Sequence, residues 1–153
     1  MDLILWRHAE AIESGDDLDD LARPLTSRGE RQATRMAAWL NQHLPATTRV
    51  LASPARRTQQ TALALERKFR TLPALAPDAS VTAVLEAARW PDAKEPVLVI
   101  GHQPTLGLVA AHLLSGTSQP WAVKKGAVWW LRSREHEGEV EVVLVMVRAP
   151  ESL

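Results

Sequence analysis

The sequence predicts an α/β fold: a three-layer α/β/α sandwich whose central sheet is mostly parallel and has an antiparallel edge. Three short apolar runs, at residues 2–6, 50–52 and 97–100, are each followed by a polar junction and then by a segment with helical periodicity. Strands that alternate with helices are typical of a parallel sheet covered on both faces. Two further apolar runs end the chain with no helix between them, which predicts a terminal hairpin and hence the antiparallel edge.

The first strand–helix unit begins with DLILW, residues 2–6, a short continuous apolar run that is typical of a buried strand. Residues 12–24 are acidic and polar, and we expect them to form a loop. Ser27 and Glu30 have the spacing of a capping box and predict the start of a helix, which Pro45 would end. The predicted inward face of this helix carries Ala33, Met36, Ala37, Leu40 and Leu44.

The second unit repeats this order. Residues 50–52 form a short apolar strand, Ser53 is a good N-cap, and Pro54 is tolerated as a first helical residue. The apolar stripe of the helix that follows consists of Ala55, Thr58, Ala62, Leu65 and Phe69. Residues 71–79 are rich in proline and are expected to be irregular, and a further helix is predicted from residue 80 to about 90.

The third unit is a buried strand over residues 97–100 and a helix that Pro104 opens and Gly116 closes. The chain then changes character. AVWWL and EVEVVLVMV, separated by the polar residues 135–139, predict the two strands of the hairpin.

Length and composition predict one domain over residues 1–153 with an ordinary apolar core. Lys plus Arg and Asp plus Glu both number 18, so no basic excess favours a nucleic-acid partner. The absence of cysteine excludes disulfides and thiolate chemistry. No apolar run approaches the roughly 20 residues of a membrane span, and the N-terminal run is too short for a signal peptide. We therefore expect a cytoplasmic monomer that binds neither membranes nor nucleic acid.

Cationic and imidazole side chains follow each of the three predicted parallel strands. Arg7 and His8 follow the first, Arg56 and Arg57 the second, and His102 the third. Ligands of open α/β sheets bind at the carboxyl ends of the strands, so these side chains meet if the strands are neighbours. Guanidinium groups match phosphate oxygens, and an imidazole is a nucleophile near neutral pH. This edge of the sheet therefore predicts a site for a phosphoryl group.

Four motifs in this order resemble the histidine phosphatase superfamily, which is also called phosphoglycerate mutase-like. They are RHAEA after the first strand, RPLTSRGERQA at the first helix, SPARRTQQT, and GHQPTLG. The resemblance extends over about residues 2–147, and the short middle of the chain is similar to the SixA-type branch, the protein-phosphohistidine phosphatases. It implies a phosphoglycerate mutase-like fold and a phosphatase that needs no cofactor.

Position by position, the resemblance implies that His8 is the nucleophile and is transiently phosphorylated. Arg7 and Arg57 would hold the phosphate, and His102 would contact the phosphoryl oxygens. Arg23, in the RPLT segment, would line the pocket. A metal ion at this place is not expected, because the two arginines would repel it.

Two departures from the family pattern concern the reaction. Ala9 stands where the family usually has glycine, and no residue is an evident proton donor, although Glu10, Asp78, Glu86 and Asp92 are candidates. A weak acid suffices when the leaving group is an imidazole, so the expected substrate is the phosphohistidine of a signalling protein, such as a histidine phosphotransfer domain. The alternatives are a phosphomonoesterase of the same superfamily that acts on small phosphate esters, and a phosphate-binding module without turnover.

Overall fold

The chain forms six strands and four α-helices in the computed structural model, which describes residues 1–15 and 18–153. The strands are β1 (Asp2–Arg7), β2 (Arg49–Ala52), β3 (Arg70–Thr71), β4 (Val97–Gly101), β5 (Val128–His136) and β6 (Glu139–Arg148). The helices are α1 (Ser27–His43), α2 (Arg56–Leu63), α3 (Val81–Ala88) and α4 (Thr105–Ser115). Short 3-10 turns lie at Asp20–Ala22, Pro73–Leu75 and Pro150–Ser152.

All six strands belong to one sheet, in the order β3–β2–β4–β1–β5–β6. The first four of these are parallel to one another, whereas β5 runs antiparallel to β1 and β6 antiparallel to β5. The predicted α/β class, the mostly parallel sheet and the antiparallel edge are therefore confirmed. Because β4 lies between β1 and β2, the carboxyl ends of these three strands form one continuous edge. At this edge Arg7 pairs with Gly101, and Ala52 pairs with Ile100.

Helices cover both faces of the sheet and give the predicted three layers. On one face α3 and α4 pack against Leu3, Leu5 and Val99 of the strands. On the other face α1 and α2 pack against Ile4 and Trp6, and Trp6 is fully buried there. Successive side chains of β1 thus enter opposite cores, as expected of a central strand without solvent on either side.

The first helix has a different cap from the predicted one. Thr26 is its N-cap, with extended backbone angles and a hydroxyl that accepts a hydrogen bond from the Gly29 amide at 2.9 Å. The capping box expected from Ser27 and Glu30 is therefore wrong, because both residues already lie within α1. The Thr26 hydroxyl in turn donates to the Glu10 carboxylate at 2.7 Å, so a tertiary contact decides where the helix begins.

Ser53 and Pro54 do not open the second helix, contrary to the sequence prediction. The helix begins at Arg56, with Ala55 as its N-cap and without a side-chain cap hydrogen bond. It also ends earlier than the predicted stripe implies, so that Phe69 lies beyond it and is only partly buried against the core. The hydroxyl of Ser53 has a partner in the candidate site instead.

The remaining segments differ from the predictions in smaller ways. The region predicted to be irregular contains the end of β3 and one 3-10 turn, and α3 is slightly shorter than expected. Within the predicted loop over residues 12–24, Asp16 and Asp17 lie outside the described residues. None of the helices that the structure describes is both long and apolar enough to span a bilayer.

Candidate active site

The site lies at the shared carboxyl edge of β1, β4 and β2. A cavity of about 170 Å³ opens there. The structure brings together around this cavity all five residues that the sequence predicts for the site: Arg7, His8, Arg23, Arg57 and His102. Its other lining residues are Ala11, Glu13, Pro77, Gln103 and Lys125.

His8 follows directly on β1 and is held from both sides through its backbone. Its amide donates to the Gly101 carbonyl at 3.1 Å, and its carbonyl accepts from the Gly126 amide at 3.0 Å. The side chain is 7% exposed, and its Nδ1 lies 2.7 Å from the Ala9 carbonyl oxygen. Because a carbonyl oxygen only accepts, Nδ1 must carry the proton. The lone pair of the ring is consequently on Nε2, the nitrogen that a nucleophilic imidazole needs.

Burial keeps this imidazole unprotonated. Burial, the largest cause, and the charges of Arg57 and Arg7 together lower the pKa of His8 from 6.5 to about 4, although the hydrogen bond to Ala9 raises it. Burial and, after it, His8 and Arg57 together lower the pKa of His102 to about 3. Both rings are therefore neutral at physiological pH, with their centroids 5.3 Å apart.

Ser53 fixes the orientation of His102. Its hydroxyl oxygen lies 2.7 Å from Nε2 of His102 and also accepts from the Ala55 amide at 3.2 Å. Ser53 is fully buried, so its proton is best placed toward Nε2 of His102. Nδ1 of His102 then carries the ring proton and is a hydrogen-bond donor.

Backbone oxygens hold the two predicted phosphate-binding arginines. Arg7 donates through Nη1 to the Val123 carbonyl at 2.8 Å. Arg57, which is 3% exposed, donates through Nη1 to the Asp20 carbonyl at 2.7 Å, and its Nη2 pairs with the Asp20 carboxylate at 3.2 Å. The same carboxylate pairs with Nε of Arg23 at 3.0 Å. Asp20 thus joins two of the cations of the site.

Three buried nitrogen atoms around the cavity lack a hydrogen-bond partner in the part of the chain that the structure describes. They are Nε of Arg7, Nε of Arg57 and Nδ1 of His102. The residues that carry these three atoms all line the cavity. The guanidinium groups of Arg7 and Arg57 match the oxygens of an anion such as a phosphoryl group. Within residues 1–15 and 18–153 no group of three or more potential metal ligands occurs, and the donors present suit an anion.

The comparison with known families agrees with this geometry. The family model described as histidine phosphatase superfamily (branch 1) matches residues 3–79, half of the chain. The chain belongs to this superfamily. It is accordingly a phosphatase, a hydrolase.

Individual relatives place this histidine phosphatase near the SixA branch. The phosphohistidine phosphatase SixA of Escherichia coli is 33% identical over 128 residues, which cover 78% of each chain. An uncharacterized protein of a Picosynechococcus strain is 35% identical over 143 residues, which cover 87% of this chain and 86% of the relative. Among solved structures, the protein histidine phosphatase SixA complexed with tungstate superposes with a TM-score of 0.78 at 28% identity, covering 98% of this chain and 97% of that one.

Ala9 fits into this histidine phosphatase without a visible clash. It is fully buried in a small cluster with Ala11, Leu25 and Ala33. Its amide donates to the Thr61 hydroxyl at 3.2 Å, and its carbonyl is the oxygen that orients His8. The added methyl group thus occupies a packed place beside the nucleophile and leaves the backbone contact intact.

The carboxylates that the sequence suggests as proton donors lie elsewhere. Glu10 receives the hydrogen bond from the Thr26 hydroxyl and does not line the cavity. Asp78, Glu86 and Asp92 are exposed and do not line it either. Among the described residues that line the cavity, the carboxylate is that of Glu13, which no sequence motif points to.

Sequence reasoning also missed Asp20, Gln103 and Lys125. Gln103 immediately follows His102, and its amide group bonds the Trp121 carbonyl and the Gly107 amide, so it is fixed in place. Lys125 is a charged residue just before the last hairpin, and its local sequence gives no sign that it lines the cavity. Asp20 lies in an acidic loop whose composition alone suggests a solvated surface.

Proposed function

We propose that this protein is a phosphohistidine phosphatase that removes the phosphoryl group from a histidine of a signalling protein through a phospho-His8 intermediate. The observation that carries the proposal is the neutral, oriented imidazole of His8 in a cavity that Arg7, Arg57 and His102 also line. A neutral nucleophile and a cluster of anion-binding groups are the two requirements of phosphoryl transfer.

The first chemical step is an in-line attack of Nε2 of His8 on phosphorus. The new N–P bond forms as the P–N bond of the substrate breaks, and the bonding electron pair leaves on the substrate imidazole. Arg7 and Arg57 neutralise the equatorial oxygens, and Nδ1–H of His102 donates to one of them. In the second step water attacks the phosphorus of phospho-His8 as the Nε2–P bond breaks. The bonding electron pair returns to Nε2, and both water protons leave with the inorganic phosphate, which restores the neutral imidazole.

The leaving group explains how this site works with few acids. A departing imidazole needs less protonation than an alkoxide, so it places little demand on a carboxylic acid near the scissile bond. The candidates Glu10, Asp78 and Glu86 do not line the cavity, which agrees with an imidazole leaving group.

The size of the cavity also supports a protein substrate. Pockets that enclose a whole small ligand usually measure about 300–1,000 Å³. The cavity of about 170 Å³ is smaller and suits a phosphoryl group at the end of a side chain. The rest of such a substrate would be recognised outside the cavity.

One observation favours a second candidate, a phosphomonoesterase for small phosphate esters. Glu13 lines the cavity, and a carboxyl group is the usual proton donor to an alkoxide leaving group. The two candidates differ in leaving group, so Glu13→Gln separates them: it should reduce hydrolysis of an alkyl phosphate and leave that of phosphohistidine nearly unchanged.

Rapid-quench kinetics with a phosphohistidine-labelled phosphotransfer domain test the proposal. We expect an acid-labile label on the enzyme within the first turnover, and its loss in His8→Ala together with a fall in turnover of about 10³-fold or more. His136→Ala is the matched control, because this exposed histidine lies at the end of β5 away from the site. Turnover that survives in His8→Ala would contradict the nucleophile assignment. Faster hydrolysis of a sugar phosphate than of phosphohistidine would favour the second candidate.

A further inference from the structure

A basic cleft lies on α1, outside the cavity just described. Arg28, Arg31 and Arg35 are exposed and recur at helical spacing, so that they share one face of the helix. Together with Gln32, Pro150 and Glu151 they line a cleft of about 310 Å³, which we call the arginine cleft.

The arginine cleft carries an excess of positive charge. It contains three guanidinium groups and the carboxylate of Glu151, and Glu30 lines the adjoining cleft with Arg31 and Arg35. Among the described residues, no carboxylate side chain forms an ion pair with any of the three arginines. Arg35 donates at 3.3 Å to an oxygen of Leu153, the last residue of the sequence given. Three neighbouring like charges repel one another, so an anionic partner is favoured there.

The arginine cleft adjoins the catalytic cavity through two short connections. The side-chain oxygen of Gln32 accepts from the Glu10 amide at 2.9 Å, two residues beyond His8. The amide of Gly126 donates to the His8 carbonyl. Gly126 also packs closely against Pro150, since a Cβ on Gly126 would lie 2.9 Å from Cγ of Pro150. The backbone of Glu10 and Gly126 thus contacts both the arginine cleft and the segment that carries His8.

The basic character extends from the arginine cleft to the cavity itself. Lys124 and Lys125 immediately precede Gly126, both are exposed, and Lys125 lines the cavity. The two lysines thus add positive charge beside the Gly126 backbone that packs against Pro150 of the arginine cleft.

We propose that the arginine cleft docks an acidic segment of the phosphorylated protein whose phosphohistidine enters the cavity. The inference rests on the proposed function and adds to it the charge of the partner surface. A cavity that accepts little more than the phosphoryl group leaves binding of the protein to surfaces beside it, and charge complementarity at such surfaces increases the rate of association.

Synthetic peptides with one phosphohistidine provide a direct test. One series carries a flank of four glutamates at spacings of two, six or ten residues from the phosphohistidine, and the matched series carries four glutamines. At low ionic strength we expect the KM of the best glutamate peptide to be about 3- to 10-fold below that of its glutamine partner, with similar kcat. High salt should abolish the difference, because it screens exposed charges.

The double variant Arg31→Gln/Arg35→Gln should remove the advantage of the glutamate flank and leave the glutamine peptide unaffected. Lys94→Gln/Arg134→Gln is the matched control, because it also removes two exposed positive charges, before β4 and on β5, toward the opposite end of the sheet. Thermal unfolding verifies that all variants are folded.

The outcomes separate the two proposals. If wild-type protein hydrolyses neither peptide, the proposed function fails and this inference fails with it. If wild-type protein hydrolyses both with equal KM, or if the double variant keeps the preference for glutamate, phosphohistidine hydrolysis stands and the docking role of the arginine cleft is overturned. A loss of preference of the same size in Lys94→Gln/Arg134→Gln would overturn it too, because the effect would then be one of overall charge.

Discussion

Replacement of Ser53 by alanine is expected to slow phosphorylation of the enzyme, although Ser53 does not line the catalytic cavity. Its hydroxyl is the partner of Nε2 of His102 at 2.7 Å. With that hydroxyl present, Nε2 accepts and Nδ1 carries the proton. Without it, the proton can move to Nε2, and Nδ1 then presents a lone pair to the phosphoryl oxygens.

The structure allows the size of this effect to be estimated. The substitution removes two hydrogen bonds of the hydroxyl, at 2.7 Å to His102 and at 3.2 Å to the Ala55 amide, and leaves a buried ring nitrogen unpaired. Such a nitrogen costs about 1–3 kcal/mol. We expect the free energy of unfolding to fall by that amount. If the transition state loses a similar interaction, the rate falls by roughly 5- to 150-fold, since about 1.4 kcal/mol corresponds to a factor of ten.

Single-turnover labelling and nitrogen NMR of the histidines provide the assay. We expect slower formation of the labelled enzyme, a small change in KM, and a shift of the His102 tautomer away from Nδ1–H. Ser115→Ala is the control, because the hydroxyl of Ser115 bonds carbonyl oxygens at the end of α4, remote from the site. An unchanged tautomer with an unchanged labelling rate would refute the positioning role of Ser53. A loss of stability alone would show that its hydroxyl is merely structural.

Two further predictions concern the backbone of the site and its protonation. Gly29→Ala should lower the free energy of unfolding by about 2 kcal/mol or more in a urea titration, because the new Cβ would overlap the Glu10 carbonyl. Gly15→Ala is the control: the space around Gly15 is open, so the free energy should change by under about 0.5 kcal/mol. His8, with a pKa of about 4 in the folded protein, should show no NMR titration between pH 5.5 and 8. Below pH 6.5 this histidine is protonated in the unfolded chain but stays neutral in the folded protein. The free energy of unfolding should therefore decrease as the pH falls, by up to about 3 kcal/mol at pH 4. His8→Gln should reduce this pH dependence. A midpoint near 6.5 for His8 would show that the imidazole is not desolvated.

The architecture of this protein could be predicted from local patterns because each strand–helix unit consists of contiguous residues. Apolar runs define β1, β2 and β4, and their parallel arrangement follows from the helices between them. The exact helix starts could not be predicted in the same way. Thr26 rather than Ser27 is the cap of α1 because Glu10, sixteen residues away, binds its hydroxyl. Ser53 is likewise engaged by His102 from another strand end.

The residues around the cavity likewise fall into two groups, those that local sequence patterns predict and those that they do not. Arg7, His8 and His102 stand at the ends of predictable strands, so their meeting follows once the sheet order is known. Glu13 and Lys125 line the cavity from a loop and from the approach to the last hairpin, and Asp20 pairs with Arg57 from a 3-10 turn. No local periodicity specifies where such segments pass, and their charges are equally compatible with a solvated surface.

The electrostatics of the site explain why two neutral histidines suit a reaction of phosphate. Before substrate binds, burial and the arginines disfavour protonation, so the lone pair of His8 is available. When the phosphoryl group enters, its negative charge has the opposite effect and raises the proton affinity of His102, 5.3 Å from His8. In the proposed reaction both imidazoles are therefore neutral before the phosphoryl group binds, and the proton affinity of His102 rises only in response to the charge of that group. A permanently charged residue in place of His102 would hold the phosphate of the product as firmly as that of the transition state, whereas a neutral imidazole responds to the charge that is present.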